Sequence, residues 1–407
     1  MAAEQHHHRG TAREVFSVFL KLGLMSFGGP IAHLAYFRSE LSERRRWVTD
    51  RQFAQLVALC QFLPGPASSQ VGFALGLHSA GLRGALAAFA AFTLPSAVLM
   101  VLFAYGTTLF DGTVGQGLIS GLKIVAVAII AQAVLGMARN LTPDATRASI
   151  AVIAALCALL LSGTPGQLLA IVLGLVAGYF LCREPRSITA EKFEQPLVFG
   201  ISRRTGILCL GIFALLFLGL PILARSLGHG ELLLFDAFYR AGALVFGGGH
   251  VILPLLQDAV VTSGWVSESQ FLAGYGATQA VPGPMFTFAA YLGTISTVGP
   301  GGVFGAAIAL AGIFLPGLLL LLGVLPLWNM LLQRAWAQAV IRGANAAVVG
   351  ILAAALYSPV FTSAVHGPED FSLGLLCFVL LVSWKCPPWC VVLIGSLGGV
   401  ALALLGT

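Results

Sequence analysis

Lys21-Leu-Gly-Leu-Met-Ser-Phe27-Gly28-Gly29-Pro30 is answered, 219 positions later, by Arg240-Ala-Gly-Ala-Leu-Val-Phe246-Gly247-Gly248-Gly249. Each run is an apolar segment that carries one cation and ends in a glycine cluster. The echo continues outward from this pair. Trp47-Val-Thr-Asp-Arg-Gln52-Phe53 returns as Trp265-Val-Ser-Glu-Ser-Gln270-Phe271. Gln61-Phe-Leu-Pro64-Gly65-Pro66 returns as Gln279-Ala-Val-Pro282-Gly283-Pro284, and Phe92-Thr-Leu-Pro95 as Phe314-Leu-Pro316. The offset stays between 218 and 221. Four landmarks in one order at one offset mark a tandem duplication. The expected organisation is a tail over 1–12, a first repeat over 13–182, a charged linker over 183–204 and a second repeat over 205–407.

The medium in which the repeats fold follows from composition. Of 407 residues, 58% are hydrophobic and 9% charged, with mean hydropathy +0.92. Soluble domains carry roughly 25% charged residues. Residues 269–333 run for 65 positions without Asp, Glu, Lys, Arg or His. Such a run excludes a soluble domain, a disordered chain and a disulfide scaffold, and leaves a polytopic membrane protein. Strict alternation of the β-barrel kind is absent, so the fold class is all-α. The net charge of +6 sits in a few loops and reports topology, not nucleic-acid binding. Most of the seven cysteines lie in apolar runs, and Cys386 and Cys390 flank Pro-Pro-Trp without a CxxC pair, so no metal or cofactor is expected.

Charge also orients the repeats. Loop 38–51 holds Arg38, Arg44, Arg45, Arg46 and Arg51, while its counterpart 257–270 holds only Asp258 and Glu268. Loop 139–147 has Arg139 and Arg147, and its counterpart 358–370 has no Lys or Arg. By the positive-inside rule, equivalent loops lie on opposite faces, which predicts inverted-topology repeats with the N-terminus and the linker in the cytoplasm. Segments 14–37 and 53–75, mirrored by 232–256 and 271–292, are flanked so that each reads as a helix broken at its Gly/Pro cluster. Re-entrant hairpins and broken spanning helices both fit this pattern.

The strings Ser26-Phe-Gly-Gly-Pro-Ile-Ala-His33, Glu43-Arg-Arg-Arg-Trp47 and Gln61-Phe-Leu-Pro-Gly-Pro-Ala-Ser-Ser-Gln70, with Gly264-Trp265, Gln279-Ala-Val-Pro-Gly-Pro284 and Gly312-Ile-Phe-Leu-Pro316, resemble the chromate ion transporter family. The resemblance spans about residues 13–355 and is to the full-length, duplicated form. It implies an inner-membrane carrier, not an enzyme, that exports chromate and confers chromate resistance. It also implies coupling to protons or a counter-ion, with sulfate as a similar oxyanion. The sequence leaves homodimerisation open.

A dianion stripped of water needs strong partners. Helix N-termini at breaks supply unpaired N–H groups and the positive end of the helix dipole. The candidate set is therefore Gly28, Gly29, Pro30, Gly65, Pro66, Gly247, Gly248, Gly249, Gly283 and Pro284 at the breaks. Lys21 and Arg240 are candidate cations two helical turns before the glycines, and Gln61 and Gln279 are candidate amide donors. Ser68 and Ser69 stand just after the first Pro-Gly-Pro, with Gln70 behind them. Kinking, lipid snorkelling, an Asp236–Arg240 ion pair and interhelical hydrogen bonds are the competing structural roles. His33, His250 and Asp236 are the titratable candidates for coupling. Lys123 is expected at a helix start in the headgroup region. Sulfate uptake or exchange is a second transport reading. An intramembrane enzyme using Ser68 or Ser69 with His33 is the alternative of another class, although no GxSxG or HExxH motif accompanies it.

Overall fold

Among the described residues, five helices begin on side-chain caps. Thr11, Thr49, Asp144, Ser202 and Ser267 each accept a hydrogen bond from the first turn of the helix that follows. Thr49 with Gln52 and Ser267 with Gln270 form full capping boxes at equivalent repeat positions. Between these starts, apolar residues without a strand period leave the chain one way to satisfy its backbone in lipid, the helix.

The computed structural model describes residues 10–107, 112–161, 164–183, 199–246, 249–327 and 335–405. Most of the tail 1–12 and of the linker 183–204 lies outside them, as do Gly247 and Gly248. The first repeat runs α1 (Ala12–Met25), α2 (Gly29–Phe37, continued as a π-helical turn Arg38–Arg44) and α3 (Asp50–Phe62). The long run Ala67–Gly106 follows; non-helical Ala80 and Gly81 (φ +63°) divide it into α4 (67–79) and α5 (82–106). Next come α6 (Thr113–Leu141), α7 (Ala145–Leu160) and α8 (Thr164–Leu181). Then α9 (Arg203–Leu227) intervenes, so residues 203 and 204, expected in the linker, belong to a helix.

The second repeat runs α10 (Gly230–Ala243), a 3-10 turn Gly249–Val251, α11 (Ile252–Gln257, continued as a π-helical turn Asp258–Thr262) and α12 (Glu268–Thr278). A 3-10 turn Met285–Thr287 leads into α13 (Phe288–Ile295), followed by α14 (Gly302–Val324), α15 (Ala335–Ala355), α16 (Pro368–Val382) and α17 (Pro388–Leu405). The described residues form an all-α membrane protein with six helical segments long and apolar enough to cross a bilayer. Lys123 lies ten residues inside α6, not at its start.

Packing follows the repeat. Gly23 of α1 lies against the carbonyl of Ala91, which Pro95 deprives of its intrahelical donor. At the equivalent place Gly242 of α10 lies against the carbonyl of Ile313, next to Pro316. The last helices exchange partners. α6 packs on α17 through Gly117 and Gly121 against Gly395 and Gly399, and α15 packs on α8 through Gly343 against Gly174 and Gly178. α15 also packs on α7, and α6 on α16. Small residues let these backbones touch, the usual source of helix adhesion in lipid. The outer faces carry large exposed apolar residues such as Leu215, Ile222, Phe304 and Leu405, which suit acyl chains.

The arginine-rich turn is tied down by ion pairs. Arg38 binds Asp50 through Nε (3.0 Å) and Nη2 (3.3 Å), and Ser42 donates to the same carboxylate at 2.9 Å. These hydrogen bonds, Arg38 first and Ser42 second, hold Asp50 below the usual carboxylate range. Arg44 and Arg45 clasp Glu40.

A side chain at Gly399 would place its Cβ 2.6 Å from the Cα of Gly121. Gly399→Val is expected to destabilise the fold by at least about 1–3 kcal/mol. Fluorescence-detected size exclusion should show a lost monodisperse peak, while Gly211→Val, with open space around its Cβ, keeps it.

Candidate functional site

The four breaks meet. The Gly65 N–H donates to the Val245 carbonyl at 2.8 Å, and the Gly283 N–H donates to the Ser26 carbonyl at 2.9 Å. Gly65 is the repeat counterpart of Gly283, and Val245 that of Ser26, so the two bonds are one contact made twice with the halves exchanged. Both glycines have positive φ, +121° and +103°, which side-chain-bearing residues rarely adopt. A Cβ on Gly65 would touch Gly317 at 3.0 Å, and one on Gly283 would press on Ser96 at 2.7 Å. Gly317 and Ser96 are again counterparts. Gly249 faces Pro30, its own counterpart, so the two meet where the halves meet.

Helices that start at these breaks begin without side-chain caps. Gly28, in left-handed conformation, precedes α2 without a side-chain cap, with Pro30 at its second position. Pro66 precedes α4, and Pro284 the Met285–Thr287 turn, also uncapped. Their first-turn N–H groups stay available to an anion.

Side chains around the breaks include buried polar atoms with no partner among the described residues. They are Ser26 Oγ, His33 Nε2, Ser69 Oγ, Gln70 Oε1, Thr93 Oγ1 and Gln279 Nε2. Unpaired buried polar atoms are costly, and a native set concentrated at one place calls for a ligand or water. Gln70 also straps the site, its Nε2 donating to the carbonyls of Pro64 (3.0 Å) and Gly317 (2.9 Å).

The sequence-derived candidates divide. Gly65, Pro66, Ser68, Ser69, Gly249, Gln279, Gly283 and Pro284 are buried at the convergence, with Gly29 and Pro30 half-buried beside it and Gly28 exposed. Gly247 and Gly248 lie outside the described residues. Gln61 and Gln279 part company: Gln61 is exposed and Gln279 is buried. Lys21 is exposed on α1. Arg240 is instead spent on Asp236, Nε to Oδ1 at 3.2 Å, the i−4 pair foreseen as its competing role. His33 is buried and meets Ser68 Oγ through Nδ1 at 3.4 Å. Its ring meets the Ser26 backbone and no carboxylate, so the Ser–His pair lacks the third member of a catalytic triad among the described residues. His250 Nδ1 lies 2.7 Å from the Tyr275 hydroxyl.

Sequence reasoning did not single out Ser26 and Thr93 as site residues. Comparing the repeats makes them visible. Ser26, His33, Ser68, Gln70 and Thr93 correspond to Val245, Ile252, Phe286, Phe288 and Phe314. At these five positions the first repeat is polar and the second apolar, Phe314 packing on Phe89 and Phe286, while Gln279 is a polar contribution of the second repeat. Arg240→Ala removes the hydrogen-bonded partner of the buried Asp236 carboxylate and leaves only the longer-range pull of Arg225, and is expected to cost on the order of 2 kcal/mol. The Asp236→Asn, Arg240→Ala double variant should recover most of that loss in a thermal melt.

The comparisons match this geometry to known proteins. The family model described as Chromate transporter matches twice, over residues 13–179 and 232–400, leaving α9 outside both matches. The chromate transport protein of Pseudomonas aeruginosa is 27% identical over 381 residues, covering 91% of this chain and 87% of that protein. A probable chromate transport protein of Synechococcus elongatus is 28% identical over 401 residues, covering 97% and 96%. The chromate transport protein of Cupriavidus metallidurans is 26% identical over 377 residues, covering 92% and 89%. No solved structure matches the chain. With both halves matched by one family model and four paired breaks joined at the centre, the chain is a membrane transporter, not an enzyme, and belongs to the chromate transporter family.

Proposed function

We propose that the protein is a secondary active carrier that exports chromate across the inner membrane, drawing on the proton gradient and giving chromate resistance. One observation carries the reading of the site: the breaks, joined by reciprocal backbone bonds, lie among buried polar atoms that have no partner among the described residues. A tetrahedral dianion has four oxygens that accept hydrogen bonds and no hydrogen to donate while fully ionised. The N–H groups at the starts of α2 and α4, the Ser26, Ser69 and Thr93 hydroxyls and the Gln279 amide nitrogen are all donors toward it. The dipoles of α2 and α4 add positive potential without a full charge in the core.

Lys21 stands seven residues before Gly28 on an exposed face of α1, and Gly28 is itself exposed. In this reading its ammonium draws the anion toward the break and lets it go again, a role a fully buried cation would perform poorly. The halves are proposed to lie inverted in the membrane, with the N-terminus in the cytoplasm. The reciprocal contacts support a two-fold relation between the halves, and the arginine-rich against acidic loops support its inversion. Alternating access then amounts to rocking the halves about the contact where Pro30 meets Gly249.

The deciding experiment is uptake of labelled chromate into inside-out proteoliposomes, with and without an imposed pH gradient. Uptake that follows the gradient and is competed by sulfate is expected; no chromate flux through folded protein would overturn the substrate. Each lost donor to a charged group costs about 1.5–3 kcal/mol. Ser69→Ala and Gln279→Leu should therefore each weaken chromate affinity tenfold or more, while Gln61→Leu stays within about twofold of wild type.

A further inference from the structure

Both repeats have a cavity at the same joint, and only the first has a built-in cation in its wall. In the first, Arg38 at the end of α2 holds Asp50 at the start of α3 in a bidentate pair. The equivalent positions in the second repeat are Gln257 and Glu268. The register is fixed independently by the capping boxes, Thr49 with Gln52 and Ser267 with Gln270, one residue before each carboxylate. The carboxylate is retained and the guanidinium is gone. Beside the retained carboxylate lies a cavity of about 360 Å³, whose polar lining is Gln167, Gln257, Asp258, Thr262, Glu268 and Ser358 and whose remaining wall is apolar.

The lining is prepared for a positive charge. Gln257 is 93% buried (7% exposed), lines the cavity, and makes no hydrogen bond among the described residues. The Gln167 Oε1 is buried and has no donor, because its amide nitrogen is turned to the Pro254 carbonyl at 3.1 Å. Glu268 accepts one hydrogen bond on Oε1, from Ser363, and this leaves Oε2 for another partner. Lys123 of α6 lies within electrostatic reach of both Glu268 and Asp370 of α16. Asp258 lines the cavity from the π-helical turn that follows α11. Glu268 and Asp258 thus bring two carboxylates to the wall of the cavity.

We propose that this cavity is a binding site for a small monovalent cation, hydronium or an alkali-metal ion, held by Glu268 and Asp258 with the Gln167 and Gln257 amide oxygens. Two carboxylates and neutral oxygens suit a hard, singly charged ion; among the described residues no group of three His, Cys, Asp or Glu is placed to hold a metal of higher demand. The site belongs to the acidic loop that the charge pattern puts on the outer face. Its role as the entry point of the coupling ion rests on the export reading above; its affinity for a cation does not.

The test is thermal melting of the full-length protein in detergent at constant ionic strength. Sodium or potassium chloride replaces N-methyl-D-glucamine chloride, at pH 6 and pH 8. Wild type should show a saturable rise in melting temperature of about 2–4 °C with one of these ions or on acidification. A rise with sodium or potassium identifies an alkali ion; a rise on acidification alone identifies a proton. Glu268→Gln should abolish that response. Gln257→Arg restores the guanidinium of the first repeat, and should fold, melt at or above the wild-type temperature, and ignore the cation. A wild-type melt indifferent to all three ions, or a Glu268→Gln protein that still responds, overturns the site. If the cation response stands but chromate flux is absent, the export reading fails and the cation site survives.

Discussion

A helix broken inside a bilayer releases main-chain donors and acceptors into a medium that offers them nothing, and the fold is organised around that debt. The Gly65 N–H finds the carbonyl of Val245, and the Gly283 N–H finds that of Ser26. Each bond runs from one half of the chain to the other. Neither half can therefore close its own breaks, and the centre of the molecule is an agreement between the two. The positive φ of both glycines, the prolines after them and the close approach of Gly317 and Ser96 follow from bringing those four backbone segments together.

The same arrangement separates scaffold from chemistry. Backbone contacts at the centre obey the repeat, but side chains around them do not. Where the first half places Ser26, His33, Gln70 and Thr93, the second places Val245, Ile252, Phe288 and Phe314. A symmetric frame thus holds an asymmetric lining, richer in polar groups on one flank and largely apolar, Gln279 apart, on the other. Duplicated backbone is kept because the breaks need each other; once that frame exists, each copy's side chains are free to specialise.

The helical membrane class was legible from the 65-residue uncharged run, and the breaks from the paired Gly/Pro clusters, because both are local properties of the chain. Their convergence could be inferred only from duplication. The exchange of partners among α6, α17, α15 and α8 was not legible, since glycines on a helix face say that something approaches closely and not which helix it is. Repeat logic also misled where electrostatics is local. Lys21 and Arg240 share a position, yet Asp236 lies one turn before Arg240 and captures it, while the corresponding Phe16–Ser17 stretch before Lys21 offers no carboxylate. Gln61 and Gln279 likewise share a position and differ in burial, because burial depends on neighbours that the motif does not contain.

The helix exchange has a consequence for how the protein is made. Synthesis runs from the N-terminus, so α6 and α8 enter the bilayer long before their glycine faces meet α17 and α15. Until the ribosome has delivered α15 and α17, the early half waits in lipid with its adhesive faces uncovered and its central N–H groups without their final acceptors. Quality control in the membrane therefore has a long window in which to meet an unfinished molecule, and the glycine face of α6 stays open until the eighteen residues of α17 arrive.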